Sequence, residues 1–245
     1  MRLYSDDGRW LGSSKSGTLK LDLLTQAFAV ISGVADGERA KICLETAKQL
    51  IDRKAGIIKL LYPPQTRKDY IGYISDYPEG IRENGGQYTH AAIWYLIALV
   101  TIGKKDEAFD LFQMINPVEK CKNVDMNITY KTEPYVLSGD VYSNNDNYGR
   151  GGWSWYTGSA GWAYKLAVEY FFGLRRRGDH LYIEPSLPKK LFGSTVVYRY
   201  KNSSYIFEYK SGLVNRLTLN GKIIDKIKLE DNVREKIIVE TDSLC

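Results

Sequence analysis

The residues best equipped for chemistry in this chain fall in two glycine-rich, aromatic-rich segments. The first is Gly80-Ile81-Arg82-Glu83-Asn84-Gly85-Gly86-Gln87-Tyr88-Thr89-His90, and the second runs from Gly149 through Gly151-Gly152-Trp153-Ser154-Trp155-Tyr156-Thr157-Gly158 to Trp162. Each leads into an apolar stretch that reads as a helix, so each offers backbone N–H donors, ring faces and a few polar side chains to one ligand. His90, Thr157 and Gly158 bring an imidazole, a hydroxyl and a bare backbone N–H to two helix starts, a donor set suited to an anion. Thr157 equally suits an ordinary helix cap, and a cap is itself a donor at a helix start. Arg82, Glu83 and Gln87 supply the guanidinium, carboxylate and amide groups that match the donors and acceptors of a sugar diol. Trp153, Trp155 and Tyr156 suit either a pyranose face or the core. Glu133, in the loop before Pro134, has three open roles: a sugar contact, a group that orients His90, or a loop ion pair.

These groups need rigid elements behind them. Leu21, Leu24, Phe28 and Ile31 predict an amphipathic helix over 19–32 ended by Gly33, and a second helix runs from a cap at Asp36 to Arg53. Residues 88–102 are apolar nearly all round, which predicts a buried helix stopped by Gly103. A fourth helix spans 106–115, halted by Asn116-Pro117, and a fifth spans 158–172. The stretch 118–156 reads as one long irregular loop, and loops of that length are usually functional. After Gly173 the period changes to two, with strands predicted over 181–184, 195–200, 204–209, 213–219, 222–229 and 236–240 and a hairpin at Asn220-Gly221. The expected fold class is mainly α with a β C-terminal part: a partial (α/α)6 toroid over 1–173 followed by a small antiparallel β-sandwich over 174–245. Five helices cannot close a twelve-helix ring.

Composition bounds the rest. With 245 residues, 44% of them hydrophobic, the chain can bury a core. It has no apolar run long enough for a membrane span and no apolar leader, so the expected location is cytoplasmic. Cys43, Cys121 and Cys245 are odd in number and lack a Cys-x-x-Cys pair, which predicts reduced thiols and no metal site. The +5 charge comes wholly from residues 174–245, with 14 Lys/Arg against 9 Asp/Glu. Those cations are scattered singly along alternating strands, so no nucleic-acid partner is expected. Arg175-Arg176-Arg177, the one tight cluster, follows a helix end, where cations meet the negative end of the dipole.

An ordered set of segments carries a resemblance: Tyr4-Ser5-Asp6-Asp7-Gly8 with Leu11-Gly12-Ser13, then 78–90, Glu133-Pro134-Tyr135-Val136, 149–162, and Gly173-Leu174 leading to Ile183-Glu184-Pro185-Ser186-Leu187-Pro188. From about residue 4 to residue 200 the chain resembles the C-terminal part of glycoside hydrolase family 94, the inverting glycoside phosphorylases that include cellobiose phosphorylases and the phosphorylase-like domain of cyclic beta-1,2-glucan synthases. Asp140-Val141-Tyr142-Ser143 and 155–162 are most similar to the cyclic glucan synthase branch.

The resemblance implies an N-terminal β-sandwich, an (α/α)6 toroid and a C-terminal β-layer, of which this chain matches the last part. It implies inorganic phosphate as co-substrate with no other cofactor, and a β-linked oligosaccharide or sugar 1-phosphate as ligand. It places His90, Thr157 and Gly158 on phosphate and Glu83 near the acceptor sugar. Where some members carry an amide for phosphate, this chain has Gly139. The family's general acid is an aspartate in an Asp-Trp-Asn-Asp-like motif, absent here, so no catalytic residue is expected in this chain and the acid is expected upstream of Tyr4. The chain then reads as a split or truncated enzyme. The alternatives are a carbohydrate-binding protein without catalysis, or a hydrolase using two carboxylates among Asp6, Asp7, Glu83 and Glu133. An open partial toroid would expose the apolar faces of helices 19–32 and 88–102 and favour association with an upstream fragment or a second copy.

Overall fold

The computed structural model describes every residue except 1, 2, 5, 7, 9, 18, 68–71, 156 and 243–245, together with all side chains of the described residues other than those of Leu3 and Thr157. Asp7, Tyr156 and Cys245 therefore lie outside the described residues, as does the hydroxyl of Thr157. The chain forms two compact units, one of Met1–Ile102 with Glu107–Tyr164 and the other of Gly103–Asp106 with Lys165–Cys245.

Helices and short strand pairs make the first unit. Its helices are α1 (Leu23–Ile31), α2 (Gly37–Ala47), α3 (Thr89–Thr101), α4 (Lys105–Ile115), α5 (Pro117–Lys120), α6 (Val124–Tyr130) and α7 (Thr157–Lys165), the first residues of α4 and the last of α7 belonging to the second unit. Its strands are two residues each: β1 (Leu3–Tyr4), β2 (Trp10–Leu11), β3 (Leu21–Asp22), β4 (Ile51–Asp52), β5 (Ile57–Ile58), β6 (Leu61–Tyr62), β7 (Gln87–Tyr88) and β8 (Asp140–Val141). They pair antiparallel as β1–β2, β3–β6, β4–β5 and β7–β8.

Several predicted boundaries move, each for a local reason. The first helix starts at Leu23 rather than Leu19, because Leu21 and Asp22 pair with Tyr62 and Leu61, and the Asp22 carboxylate accepts from Thr25 N and Oγ1 at 2.9 Å. The second ends at Ala47, followed by a 3-10 turn and β4, and Asp36 occupies its cap position without a side-chain cap bond. The predicted loop 118–156 contains α6 and most of α5, with side-chain caps from Asn116 to Val118 N and from Asn123 to Met126 N. Beyond Lys165 the fifth helix widens into a π-helical turn over Leu166–Phe171.

The core corrects a larger expectation. α3 is not an exposed apolar face: Ala91, Ala92, Ile93 and Tyr95 through Leu99 are fully buried, α1 and α2 pack on it, and Tyr95 donates to Leu44 O at 3.2 Å. On α1, Phe28 stays half-exposed with its ring against Trp94. Cys43 and Cys121 are free thiols. Among the described residues no helix is long and apolar enough to cross a membrane, and no group of three or more His, Cys, Asp or Glu could hold a metal ion.

The second unit is built on strands: β9 (Leu174–Arg177), β10 (His180–Ile183), β11 (Thr195–Tyr200), β12 (Ser203–Gly212), β13 (Arg216–Leu219), β14 (Lys222–Ile224), β15 (Lys226–Lys228) and β16 (Arg234–Asp242). One sheet has the order β15-β10-β9 and the other β11-β12-β16-β13-β14. Alternating Tyr205, Phe207 and Tyr209 of β12 share one buried cluster with Ile237 and Val239 of β16 and with Leu174, Leu181 and Ile227 of the smaller sheet. The expected hairpin forms at Asn220-Gly221, whose φ values of 51° and 77° suit a tight turn between β13 and β14.

The larger sheet is mixed, not purely antiparallel. β16 returns after three intervening strands, inserts between β12 and β13, and runs parallel to β12 from Ser204↔Arg234 to Gly212↔Asp242. The predicted strand 222–229 splits into β14 and β15, which belong to different sheets. Arg175 meets the preceding helix end directly, its Nε donating to Glu169 O at 2.9 Å.

Candidate functional site

The first glycine-rich segment is a tight turn organised by Asn84. Fully buried, its side chain accepts from Gln65 N at 2.7 Å and donates to Gln65 O and Tyr77 O, both at 2.9 Å. Arg82, held at φ 47°, reaches back to donate to Tyr77 OH at 3.1 Å, and its guanidinium lies 3.8 Å over the Trp153 ring. A left-handed backbone at a residue with a long side chain costs energy that the surroundings must offset, which is common at ligand sites.

Arg82 and Glu83 line a cavity of about 160 Å³ with Tyr88, Gly139, Asp140 and Trp153. Its floor is the β7–β8 pair, which sets Tyr88 opposite Asp140. Burial, with the nearby Glu83 charge second, raises the Tyr88 phenol above its ordinary range. Asp140 is 4% exposed; its Oδ1 accepts from Trp153 N at 2.8 Å, while its Oδ2 is buried with no partner. Burial is the leading cause that raises its carboxyl above the usual range, Trp153 N–H and Arg82 pull it down, and Glu83 pushes it up. Gly152 is required here, because a Cβ on it would stand 2.2 Å from Asp140 Oδ1.

His90 sits one residue inside α3. Tyr88 stacks on it at 5.9 Å between centroids, and Trp94 and Trp162 approach at 4.8 Å and 5.7 Å. Its Nε2 is buried without a hydrogen-bond partner, and burial lowers its pKa from the ordinary 6.5, favouring the neutral ring. The start of α7 lies against the same ring: a Cβ placed on Gly158 would be 3.6 Å from His90 Nδ1. The first donor of α3 is already engaged, Thr89 N donating to Gly139 O at 2.9 Å, so α3 offers this place its imidazole rather than that N–H.

Three sequence-predicted residues, Gln87, Trp155 and Glu133, stand outside this cavity lining. Gln87 is fully buried; its Oε1 accepts from Ile58 N and its Nε2 donates to Thr89 Oγ1, both at 3.0 Å, so it braces β5 and the start of α3 and does not line the cavity. Trp155, 67% exposed, donates its indole N–H to Glu133 Oε1 at 2.9 Å. That bond, second to one from its own backbone, lowers the Glu133 pKa, and no hydrogen bond joins Glu133 to His90 among the described residues.

Asp140 is the polar residue that sequence reasoning did not single out for this cavity. Its signals were Gly151-Gly152, which mark a close backbone approach, but the pairing of Asp140 with Tyr88 is nonlocal and left no periodic trace.

Tyr88 thus joins a buried, unpartnered imidazole nitrogen to a cavity lined by carboxyl, guanidinium and aromatic groups. Residues 1–173 match the model described as "Glycosyl hydrolase 94 superfamily, catalytic domain", and the chain belongs to that superfamily. It is 41% identical over 206 residues to the cyclic beta-(1,2)-glucan synthase NdvB of Rhizobium meliloti (strain 1021), covering 83% of this chain and 7% of that protein. It is 29% identical over 228 residues to the solabiose phosphorylase of Paenibacillus borealis, covering 90% and 29%. To the 1,2-beta-oligoglucan phosphorylase of Listeria innocua serovar 6a it is 25% identical over 246 residues, covering 90% and 22%. The chain thus spans under a third of the length of each of these relatives.

Proposed function

We propose that this chain carries the phosphate-facing and acceptor-facing walls of an inverting glycoside phosphorylase site that acts on β-linked gluco-oligosaccharides. The observation that carries the reading is His90, an imidazole with a buried, unpartnered Nε2 and the start of α7 at its other ring nitrogen. An unpaired buried polar atom costs about 1–3 kcal/mol, a cost that an anionic ligand bound at the ring would offset. The reaction class follows the phosphorylase names of two relatives, and the glucan unit follows the names of NdvB and the oligoglucan enzyme.

In this reading a phosphate oxygen attacks the anomeric carbon from the face opposite the glycosidic oxygen. The C–O bond to the leaving sugar breaks as a carboxylic acid protonates that oxygen, and a sugar 1-phosphate forms with inverted configuration. His90, the Thr157 hydroxyl and the α7 N–H at Gly158 hold the phosphate; Arg82 and Glu83 hold the acceptor sugar. Trp155 and Glu133 form an outer sugar contact, and Gln87 supports the wall from beneath. The acid is an aspartate outside these 245 residues, whose sequence has no Asp-Trp-Asn-Asp motif, and it reaches the site by covalent continuity or by association. Residues 1–173 form part of an (α/α)6 toroid and 174–245 a β-sandwich domain.

The test is titration of the whole chain with inorganic phosphate, followed by phosphorus NMR. His90→Leu, which removes the ring donor and keeps an apolar side chain against Trp94 and Trp162, is expected to weaken phosphate binding about tenfold, the loss of one good hydrogen bond to a charged group. Equal binding by the variant would overturn the assignment.

A further inference from the structure

The Asp140 carboxyl is more than nine-tenths buried, yet half of it is unused. Oδ1 is fixed by Trp153 N–H, and no group of the described protein reaches Oδ2. Arg82, the cation on the wall, does not hydrogen-bond it: one guanidinium N–H donates to Tyr77 OH and the group stacks on Trp153, which leaves its other donors for a ligand. A buried carboxylate oxygen left in this way is destabilising unless something donates to it. The backbone is shaped to tolerate it, since any side chain at position 152 would displace the carboxyl.

The cavity that Asp140 lines is about 160 Å³. Drug-sized ligand sites start near ~300 Å³, so this space suits one sugar ring or its hydroxyl edge rather than a chain of rings. Its wall offers the Glu83 carboxylate, the Arg82 guanidinium and the Tyr88 ring. A hydroxyl is the group that such a wall accommodates best: it donates to a carboxylate and accepts from a guanidinium at once.

We propose that Asp140 is a specificity-determining residue of the sugar subsite, its Oδ2 accepting a hydrogen bond from one hydroxyl of the glucose unit in the Arg82–Glu83 cavity. The assignment rests on the carbohydrate reading above and adds to it a contact that selects one hydroxyl. Burial and the Glu83 charge hold the free carboxyl above its usual range, while Trp153 N–H and Arg82 oppose them; a hydroxyl donating to Oδ2 joins the second group and favours the charged form.

Glucose and its 2-, 3-, 4- and 6-deoxy analogues are titrated by NMR into the whole chain, into Asp140→Asn and into Glu83→Gln. Asparagine keeps Oδ1 for Trp153 N–H and converts the Oδ2 position to a donor. Expected is an about tenfold weaker binding of glucose by Asp140→Asn, with one deoxy analogue that the wild type and Asp140→Asn bind equally. Glucose binding unchanged in Asp140→Asn but weakened in Glu83→Gln overturns the Asp140 assignment alone, as does an equal loss for every deoxy analogue. No binding of glucose by the wild type overturns the carbohydrate reading together with it. Should Asp140→Asn not fold, the carboxyl carbon resonance of Asp140 in the wild type decides: it shifts with glucose and not with the one analogue, or the assignment fails.

Discussion

His90 and Lys120 are both bases removed from water, and they differ in whether the buried nitrogen has a partner. His90 keeps a nitrogen without a partner, whereas Lys120, 6% exposed, donates from Nζ to Ala55 O at 2.9 Å and lies 5.7 Å over the Tyr130 ring. Burial lowers the Lys120 pKa to about 8, against smaller upward pulls from Cys121 and Asp52. In the unfolded chain the same amine titrates near its ordinary 10.5, so between these values the unfolded state binds more protons. Stability from this group must therefore rise with pH across that window, and below pH 8 its cost is fully present. The phenols of Tyr95 and Tyr209 and the Cys121 thiol, all raised by burial, act in the opposite sense, so the contribution is isolated by difference. Urea unfolding of the wild type minus that of Lys120→Met is expected to climb by on the order of 3 kcal/mol from pH 8 to 10.5. A flat difference would mean that the amine is hydrated in the native state.

At the scale of elements, α7 allows function to be separated from stability. A Cβ at Gly158 would meet His90 Nδ1 at 3.6 Å, an ordinary contact, so Gly158→Ala fits the free protein. Alanine in a helix is favoured over glycine by about 0.5–1 kcal/mol, and the variant is expected to unfold at slightly higher urea. The same methyl stands where the proposed phosphate meets the helix start, so phosphate binding is expected to fall; unchanged binding would move the anion away from α7. The comparison also shows what was legible in the sequence. Residues 89–101 were readable as a long apolar run stopped by Gly103, and 195–200 as a β-branched and aromatic run of strand length. The two-residue strands were not, since each exists only through a distant partner, and α5 and α6 are too short to show a period although Asn116 and Asn123 mark their starts. Gln87 shows the consequence: the sequence offered a polar group beside Glu83, but its β7 position turns that group inward to Ile58 and Thr89. The parallel pairing of β12 with β16 was hidden for the same reason, because β-strand patterning reports burial and not partner direction.

At the scale of the whole molecule, the site and the net charge fall in different units. Every candidate site residue from Arg82 to Gly158 belongs to the first unit, and so do all five tryptophans, Trp10, Trp94, Trp153, Trp155 and Trp162. The second unit has its own buried cluster, centred on tyrosines and aliphatic residues of β12 and β16. Three of its cations, Arg175, Arg176 and Arg177, lie over the rings of Tyr170, Tyr200 and Tyr182 at 4.9, 4.9 and 5.2 Å. Each unit thus has an interior of its own, and the placement of tryptophan gives a probe for the first alone. Ile237→Ala empties a fully buried position between Leu219 of β13 and Phe207 of β12, a change that costs about 2–5 kcal/mol in well-packed cores. Amide exchange in β12 and β16 is expected to quicken accordingly, while the urea midpoint seen by tryptophan emission and the affinity for inorganic phosphate stay in place. A parallel fall in the tryptophan midpoint would show that the first unit depends on the second for its stability, and the phosphate affinity of the same variant would then show whether that dependence reaches His90.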